Sequence, residues 1–100
     1  MSMFNKLKEV KDMRDQAKQL QNQLSQESVM TSSEGGKINL VMDGNQTVVS
    51  LDINPELLTP DKKEELEKGL RNVFNEAVKK IQRVIAQKMQ AGNFKMPNLG

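Results

Sequence analysis

The spacing of apolar residues changes twice along the 100-residue chain, and this change restricts the folds that are available. From about residue 3 to residue 26, and again from about 60 to 91, apolar residues recur every three or four positions, which predicts amphipathic helices. Between residues 28 and 53 they recur at every second position, which predicts strands. We therefore expect a single α+β domain over residues 1–100, a two-layer α-β-β-β-α fold with a mobile tail over residues 92–100.

The first predicted helix carries a narrow apolar seam and no internal Gly or Pro. The seam extends over about two heptads, which is fewer than the three or four heptads typical of a coiled coil. We therefore expect a long helix that needs a partner helix or sheet. The seam consists of Val10, Met13, Ala17, Leu20 and Leu24.

The sheet is predicted to be a three-stranded antiparallel meander. Asp43-Gly44-Asn45 separates two stretches of period two and is a strong hairpin signal. Ile38, Leu40 and Met42 precede this turn, and Thr47, Val49, Leu51 and Ile53 follow it. Ser28–Thr31 is a weaker strand candidate, ended by Ser32–Gly36. One apolar and one mixed face are typical of a sheet that is covered on one side.

Thr59-Pro60-Asp61 predicts the start of the second helix, with Thr59 as N-cap. A helix of about 30 residues is about 45 Å long, whereas a strand of five or six residues spans only about 17–20 Å. The overhanging apolar stripe, together with the short chain and its three aromatic residues, favours a homo-oligomer or a helix-rich fold that depends on an interface. The candidate core and dimer residues are the seam of the first helix (Val10, Met13, Ala17, Leu20, Leu24) and Leu66, Leu70, Phe74, Ala77 and Ile81 of the second.

The residues needed for most enzymatic chemistry are missing. The chain has no Cys and no His, which excludes cysteine nucleophiles and removes the commonest general base and metal ligand. The acids lie on helix surfaces, where we expect the ion pairs Glu64–Lys68, Glu67–Arg71 and Glu76–Lys80. We therefore expect no catalysis, cofactor, metal or small-molecule substrate. Neither a membrane span nor a signal peptide is apparent, which predicts a cytoplasmic protein.

The formal net charge of +2 conceals a segregation of charge along the chain. Residues 77–100 contain five bases and no acid, whereas residues 28–58 contain one base and four acids. Exposed bases on a protruding helix are suited to DNA phosphates, which they bind with release of counterions. The candidate DNA-binding residues are Lys79, Lys80, Arg83 and Lys88, together with Lys11, Arg14 and Lys18. A second interpretation, which charge alone favours, is that these bases complement the helix dipole and maintain solubility.

Several segments occur in a characteristic order and spacing over essentially the whole chain. They are Gln16–Gln21 in a first helix rich in Met and Gln, Gly36–Leu40 followed by Asp43-Gly44, Val49–Leu58, Asp61–Glu67, Phe74–Lys80 and Phe94–Pro97. In this combination they resemble the YbaB/EbfC family of bacterial nucleoid-associated proteins.

The resemblance implies a tight homodimer with protruding helices that binds double-stranded DNA and compacts or bends it. It also implies a location in the nucleoid and no catalytic activity. Since the chain has no Trp or Tyr, we expect contacts with the DNA backbone and shape rather than base stacking. The alternative is a non-catalytic interaction module, in which the seam of the first helix binds a partner helix.

Overall fold

The computed structural model describes residues 3–92, with side chains described from residue 11. Two helices flank three strands: α1 Met3–Ser25, β1 Ser28–Ser33, β2 Ile38–Asp43, β3 Val48–Ile53 and α2 Lys63–Gln90. The strands form one antiparallel sheet in the order β1-β2-β3. The predicted α+β class and the meander are therefore confirmed, while the predicted tail from residue 93 onward lies outside the described residues.

The predicted start of the second helix is a separate turn of 3-10 helix, Pro60–Lys62, and α2 itself begins at Lys63. Thr59 occupies the N-cap position of that turn, but its side chain makes no capping bond to the backbone. Its hydroxyl instead donates to the Asp61 carboxylate. Upstream, β1 continues to Ser33, two residues past its expected end.

The core lies between the sheet and α2, which crosses β1 and β2. Alternate residues of β2 are buried against a row of α2 residues spaced four apart. Two hydroxyl groups of β1 form hydrogen bonds to α2. Thr31 Oγ1 donates to the Val73 carbonyl at 2.9 Å, and Ser33 Oγ donates to the Gly69 carbonyl at 2.8 Å. The buried apolar residues of the described chain are Ile38, Leu40, Met42, Leu57, Val73, Ala77 and Ile81.

β3 remains largely exposed although its sequence is as apolar as that of β2. Leu51 pairs with buried Leu40, and Val48 pairs with buried Met42, so both lie on the core side of the sheet. Because α2 crosses only β1 and β2, Leu51 is 42% exposed and Val48 is 37% exposed. A bulge leaves Val49 without a cross-strand partner and ends the expected alternation. The helix α2 therefore covers one face of β1 and β2, and not of all three strands as expected.

α1 makes the molecule elongated. The described residues extend over 66 × 30 × 16 Å with a radius of gyration of 19.1 Å, whereas a compact 100-residue domain has about 13 Å. At the C-terminal end of α1, the Leu24 carbonyl accepts from Gly44 N at 2.9 Å and the Gln21 carbonyl from Asn45 Nδ2 at 3.1 Å. The C-terminal end of α1 is thus hydrogen-bonded to the turn of the β2–β3 hairpin.

The apolar seam of α1 has little cover within one chain. Met13 is 57% exposed and Ala17 is exposed, whereas Leu20 and Leu24 are half-buried near the C-terminal end. The side chain of Val10 lies outside the described residues. The seam is therefore a surface that a second molecule can cover.

Candidate nucleic-acid interface

Lys79 and Arg83 lie on the side of α2 that faces solvent. The buried row Val73, Ala77 and Ile81 fixes the rotation of the helix, and both cations are exposed away from that row. Within the described part of the chain neither cation forms an ion pair or a hydrogen bond. Both charges are consequently available to an external anion.

Lys80 and Lys88, two other candidate cations of α2, are turned toward the body of the protein. Lys80 Nζ donates to the Met30 carbonyl of β1 at 3.4 Å. Lys88 Nζ lies 3.4 Å from Glu27 Oε1, at the junction between α1 and β1. Each contact occupies part of the hydrogen-bonding capacity of its ammonium group, so these two lysines are less available to an anion than Lys79 and Arg83.

The candidate cations of α1 are all exposed. Lys11, Arg14 and Lys18 follow one another at intervals of three and four residues, which places them on one side of the helix. In the described chain they form no ion pair with the neighbouring Asp12 or Asp15. They make a second group of available positive charge, carried by the helix that projects from the body.

The first half of α2 contributes two cations that the sequence analysis had assigned to ion pairs. Glu67 Oε1 lies 3.8 Å from Lys63 Nζ, on the preceding turn, and not near Arg71 as expected. Glu65 pairs with Lys62 at 3.5 Å, and the expected Glu64–Lys68 pair does not form among the described residues. Lys68 and Arg71 are therefore exposed and without a described ion pair. Because Glu67 has a base four residues away on either side, the sequence spacing could not decide between the two.

The third expected pair, Glu76–Lys80, is also absent from the described contacts, since Lys80 bonds to Met30 instead. Glu76 is nevertheless the only acid between Lys68 and Gln90. The exposed side of α2 over this stretch therefore carries a positive potential.

Asp43 and Asp61, two acids of the described chain, form local hydrogen bonds. Asp43 Oδ1 accepts from the backbone N–H groups of Asn45 at 2.9 Å and Thr47 at 3.0 Å, which shapes the hairpin turn. The hydroxyl of Thr59, more than any other group, lowers the pKa of exposed Asp61. The described residues include no group of three His, Cys, Asp or Glu that could hold a metal ion. No helix among them is both long and apolar enough to cross a membrane.

Comparison with known proteins gives a consistent result. The sequence model of the YbaB/EbfC DNA-binding family matches residues 1–96. A nucleoid-associated protein of Pelotomaculum thermopropionicum is 35% identical over 100 residues, covering 98% of this chain and 95% of that protein. One of Caldanaerobacter subterraneus is 33% identical over 97 residues, covering 95% of this chain and 87% of that protein.

A solved structure shares the fold. The crystal structure of the uncharacterized protein HP0035 from Helicobacter pylori superimposes with a TM-score of 0.63 at 22% identity, covering 93% of this chain and 96% of that chain. The family match extends over nearly the whole sequence, and it agrees with the resemblance found in the individual segments. The chain therefore belongs to the YbaB/EbfC DNA-binding family.

Proposed function

We propose that this protein is a non-enzymatic component of the cytoplasmic nucleoid that binds double-stranded DNA as a homodimer and changes the shape of the DNA. The observation that carries the proposal is the pair of exposed cations on α2, Lys79 and Arg83, which have no acidic partner in the described chain. The relatives named as nucleoid-associated proteins support the location. Family membership supports DNA as the ligand.

Binding through phosphates agrees with the kinds of side chain that are available. Lys and Arg neutralise phosphates and release condensed counterions, which makes the affinity fall steeply with salt. Phe74, the aromatic residue whose side chain is described, is half-buried against the core and is not free to stack on a base. These features favour contacts with the duplex backbone over stacking on single strands.

An uncovered apolar surface supports the homodimer. Val78 and Lys80 are two positions apart and so lie on opposite sides of α2. Because Lys80 reaches β1, the side that carries Val78 faces β3. Exposed Val48 and Leu51 of β3 are therefore continuous with half-buried residues of α2, namely Leu66, Leu70, Phe74, Val78 and Ile85. A second copy that covers this surface would remove apolar area from water.

Two copies also present two sets of cations on one particle. When one set is bound, the second meets the same duplex at a high effective concentration, which raises the overall affinity. Two separated contacts can hold the duplex in a bent path if they gain more than the deformation costs, about 1–6 kcal/mol for a bend of 40–90° over 20–30 base pairs. The proposed change in DNA shape thus depends on the proposed homodimer.

Fluorescence anisotropy with a labelled duplex of mixed sequence, titrated at several salt concentrations, tests the proposal. The wild-type protein should bind tightly at low salt, and the K79A/R83A variant should have a slope of log K against log salt that is shallower by about 1.8 for each contacting copy. The matched control is K62A/K63A, which removes the same charge from lysines that are ion-paired. Absence of binding at low salt, or equal slopes for the wild type and K79A/R83A, would refute the proposed contact.

A second candidate function has the exposure of Met13 in its favour. A flexible thioether that is 57% exposed in an apolar seam is typical of a surface that accepts a partner helix. Substitution by Glu at Met13 should abolish such an interaction and leave the fold unchanged, because the side chain is exposed in the single chain. If the anisotropy experiment detects no DNA binding, this interaction module becomes the better interpretation.

A further inference from the structure

We infer that the DNA contact extends toward the start of α2, to Lys68 and Arg71, so that the helix lies lengthwise along the duplex. This inference rests on the proposed function and makes it more specific. The alternative geometry is contact through the C-terminal half of α2 alone, where Lys79 and Arg83 lie.

The helix geometry places the two halves of the cationic surface on one side. Lys68 and Lys79 are eleven residues apart, which is about three full turns, so their Cα atoms have nearly the same orientation around the axis. Arg71 and Arg83 lie to either side of that line. From Lys68 to Arg83 the rise is about 22 Å at 1.5 Å per residue, equal to about six to seven steps of 3.4 Å along the axis of the duplex.

The residues between these cations are compatible with phosphate contact. Asn72, Asn75 and Gln82 are exposed, and their amide groups can donate hydrogen bonds to phosphate oxygens. Glu76 is the only acid from Lys68 onward, and it lies toward the edge of this side of the helix. Glu64, one turn before Lys68, marks the end of the surface. Apart from Glu76 at its edge, the solvent side of α2 from Lys68 to Arg83 therefore presents hydrogen-bond donors.

The helix dipole does not account for Lys68 and Arg71. Bases in the last turn of a helix are favoured by the dipole, but the effect falls off within that turn. Lys68 and Arg71 are the sixth and ninth residues of a helix of 28 residues, far from its C-terminal end. Glu67, which could have neutralised Arg71, pairs instead with Lys63, and Glu64 forms no described pair with Lys68. Two exposed cations without a local partner are thus left on the same side as Lys79.

The same anisotropy titration tests the inference with the K68A/R71A variant. We expect the ratio of Kd at 200 mM salt to Kd at 50 mM to fall about tenfold for each contacting copy, because two phosphate contacts are lost. K37A provides the control for a change of charge outside the contact, because Lys37 pairs with Glu56 at 3.3 Å away from this side of α2; K62A/K63A is unsuitable here, since it would release Glu67 to pair with Arg71. Circular dichroism should show an unchanged fold, since Lys68 and Arg71 are exposed; if the alanine pair unfolds, K68Q/R71Q replaces it.

The outcomes separate this inference from the proposed function. If the wild type binds and K79A/R83A weakens the salt dependence, but K68A/R71A has the same slope as the wild type and K37A, then the contact is confined to the C-terminal half of α2 and the inference is wrong. If the wild type does not bind at low salt, the proposed function fails as well. A shallower slope for K68A/R71A than for both the wild type and K37A supports the lengthwise contact.

Discussion

Gly44 lies where the β2–β3 turn contacts the end of α1, and Gly69 lies where α2 contacts the sheet. A Cβ on Gly44 would overlap the carbonyl oxygen of Leu24, which accepts the Gly44 N–H at 2.9 Å. A Cβ on Gly69 would lie 2.5 Å from Ile38 Cδ1, 2.8 Å from Glu34 Cγ and 3.0 Å from Ser33 Oγ. The obstacle at Gly44 is backbone, whereas those at Gly69 are side-chain atoms, so the two glycines differ in how well they tolerate replacement.

We expect Gly44→Ala to lower the free energy of unfolding by about 1–3 kcal/mol, the usual cost of an overpacked site. Gly69→Ala should cost less, because alanine favours the helix by about 1 kcal/mol relative to glycine and the close contacts are with side-chain atoms rather than backbone. Urea denaturation followed by circular dichroism measures both values under the same conditions. A loss at position 69 that equals or exceeds the loss at position 44 would contradict this reading of the contacts.

The Thr59–Asp61 contact predicts a dependence of stability on pH. Since the hydroxyl of Thr59 lowers the pKa of Asp61 below its usual value of 3.8, the ionised carboxylate favours the folded state. The stabilisation is present above the unfolded-state pKa and is lost as the pH falls through the lower folded-state pKa. It is therefore intact at neutral pH.

Removing the hydroxyl with Thr59→Val should raise the pKa of Asp61 toward 3.8, measured by NMR titration of its carboxyl carbon. The variant should also be less stable than wild type at neutral pH, and the difference should narrow in acid. Thr59→Ser keeps the hydroxyl and provides the control. An Asp61 pKa that is the same in the Val and Ser variants would show that the hydroxyl is not the cause.

At the level of elements, the sequence was sufficient to predict the strands and helices, but not to predict which of their faces would be buried. Ile38, Leu40 and Met42 alternate before Asp43-Gly44, and they became the buried side of β2 and its hairpin. The same period in β3 did not predict burial, because burial depends on which strands α2 crosses. The turn is also longer than the sequence signal suggests, and Gln46, with φ of 61°, takes the left-handed conformation within it.

The candidate site was likewise predictable from the sequence only in part. The exposure of Lys79 and Arg83 followed from the apolar stripe opposite them, because a helix has one rotation that buries its stripe. The availability of Lys68 and Arg71 did not follow, because an acid with a base on both neighbouring turns can pair with either. Only the side-chain geometry shows that Glu67 turns back to Lys63.

The Glu27–Lys88 pair connects two elements that are otherwise far apart in sequence. Glu27 lies between α1 and β1, Lys88 lies in the last turn of α2, and their charged atoms are 3.4 Å apart. The contact therefore helps to fix the direction in which α1 projects from the body. We expect it to affect stability modestly, because both side chains retain contact with solvent.

A double-mutant cycle with Glu27→Ala and Lys88→Ala should give a coupling energy of about 0.2–1 kcal/mol in low salt. The coupling should fall in 1 M salt, where the Debye length is about 3 Å. Chemical denaturation by urea measures each variant without adding ions. A coupling near zero would mean that the pair does not hold α1, whereas the reversed pair Glu27→Lys/Lys88→Glu should restore stability if it does.

At the scale of the whole molecule, a single chain leaves apolar surfaces exposed to water. The helix lengths and the small core predicted a partner, but they did not show where that partner would bind. The structure narrows the choice to two surfaces, the seam of α1 and the region formed by β3 with the adjacent side of α2. The second surface adjoins the buried core, so covering it would extend that core across two chains.

Leu51→Lys, on the core side of β3, tests the proposed dimer surface at a position that is already 42% exposed in the single chain. The lysine can reach solvent in the monomer, so the fold should survive, but in a dimer it would bury a charge without a partner. We expect sedimentation at micromolar concentration to show twice the chain mass for the wild type and the chain mass for this variant.

Met30→Lys is the control for Leu51→Lys. Met30 is 62% exposed, and it pairs with Val41, which lies between buried Leu40 and Met42. Met30 is therefore on the side of the sheet opposite to the core. It should sediment as the wild type does. Ile81→Lys, by contrast, introduces a charge into the buried core and should abolish the fold together with the dimer. If Leu51→Lys remains a dimer, β3 is not at the interface, and the seam of α1 becomes the surface to test. If it becomes a folded monomer, its salt slope in DNA binding should be about half that of the wild type, because one set of phosphate contacts remains where the homodimer had two.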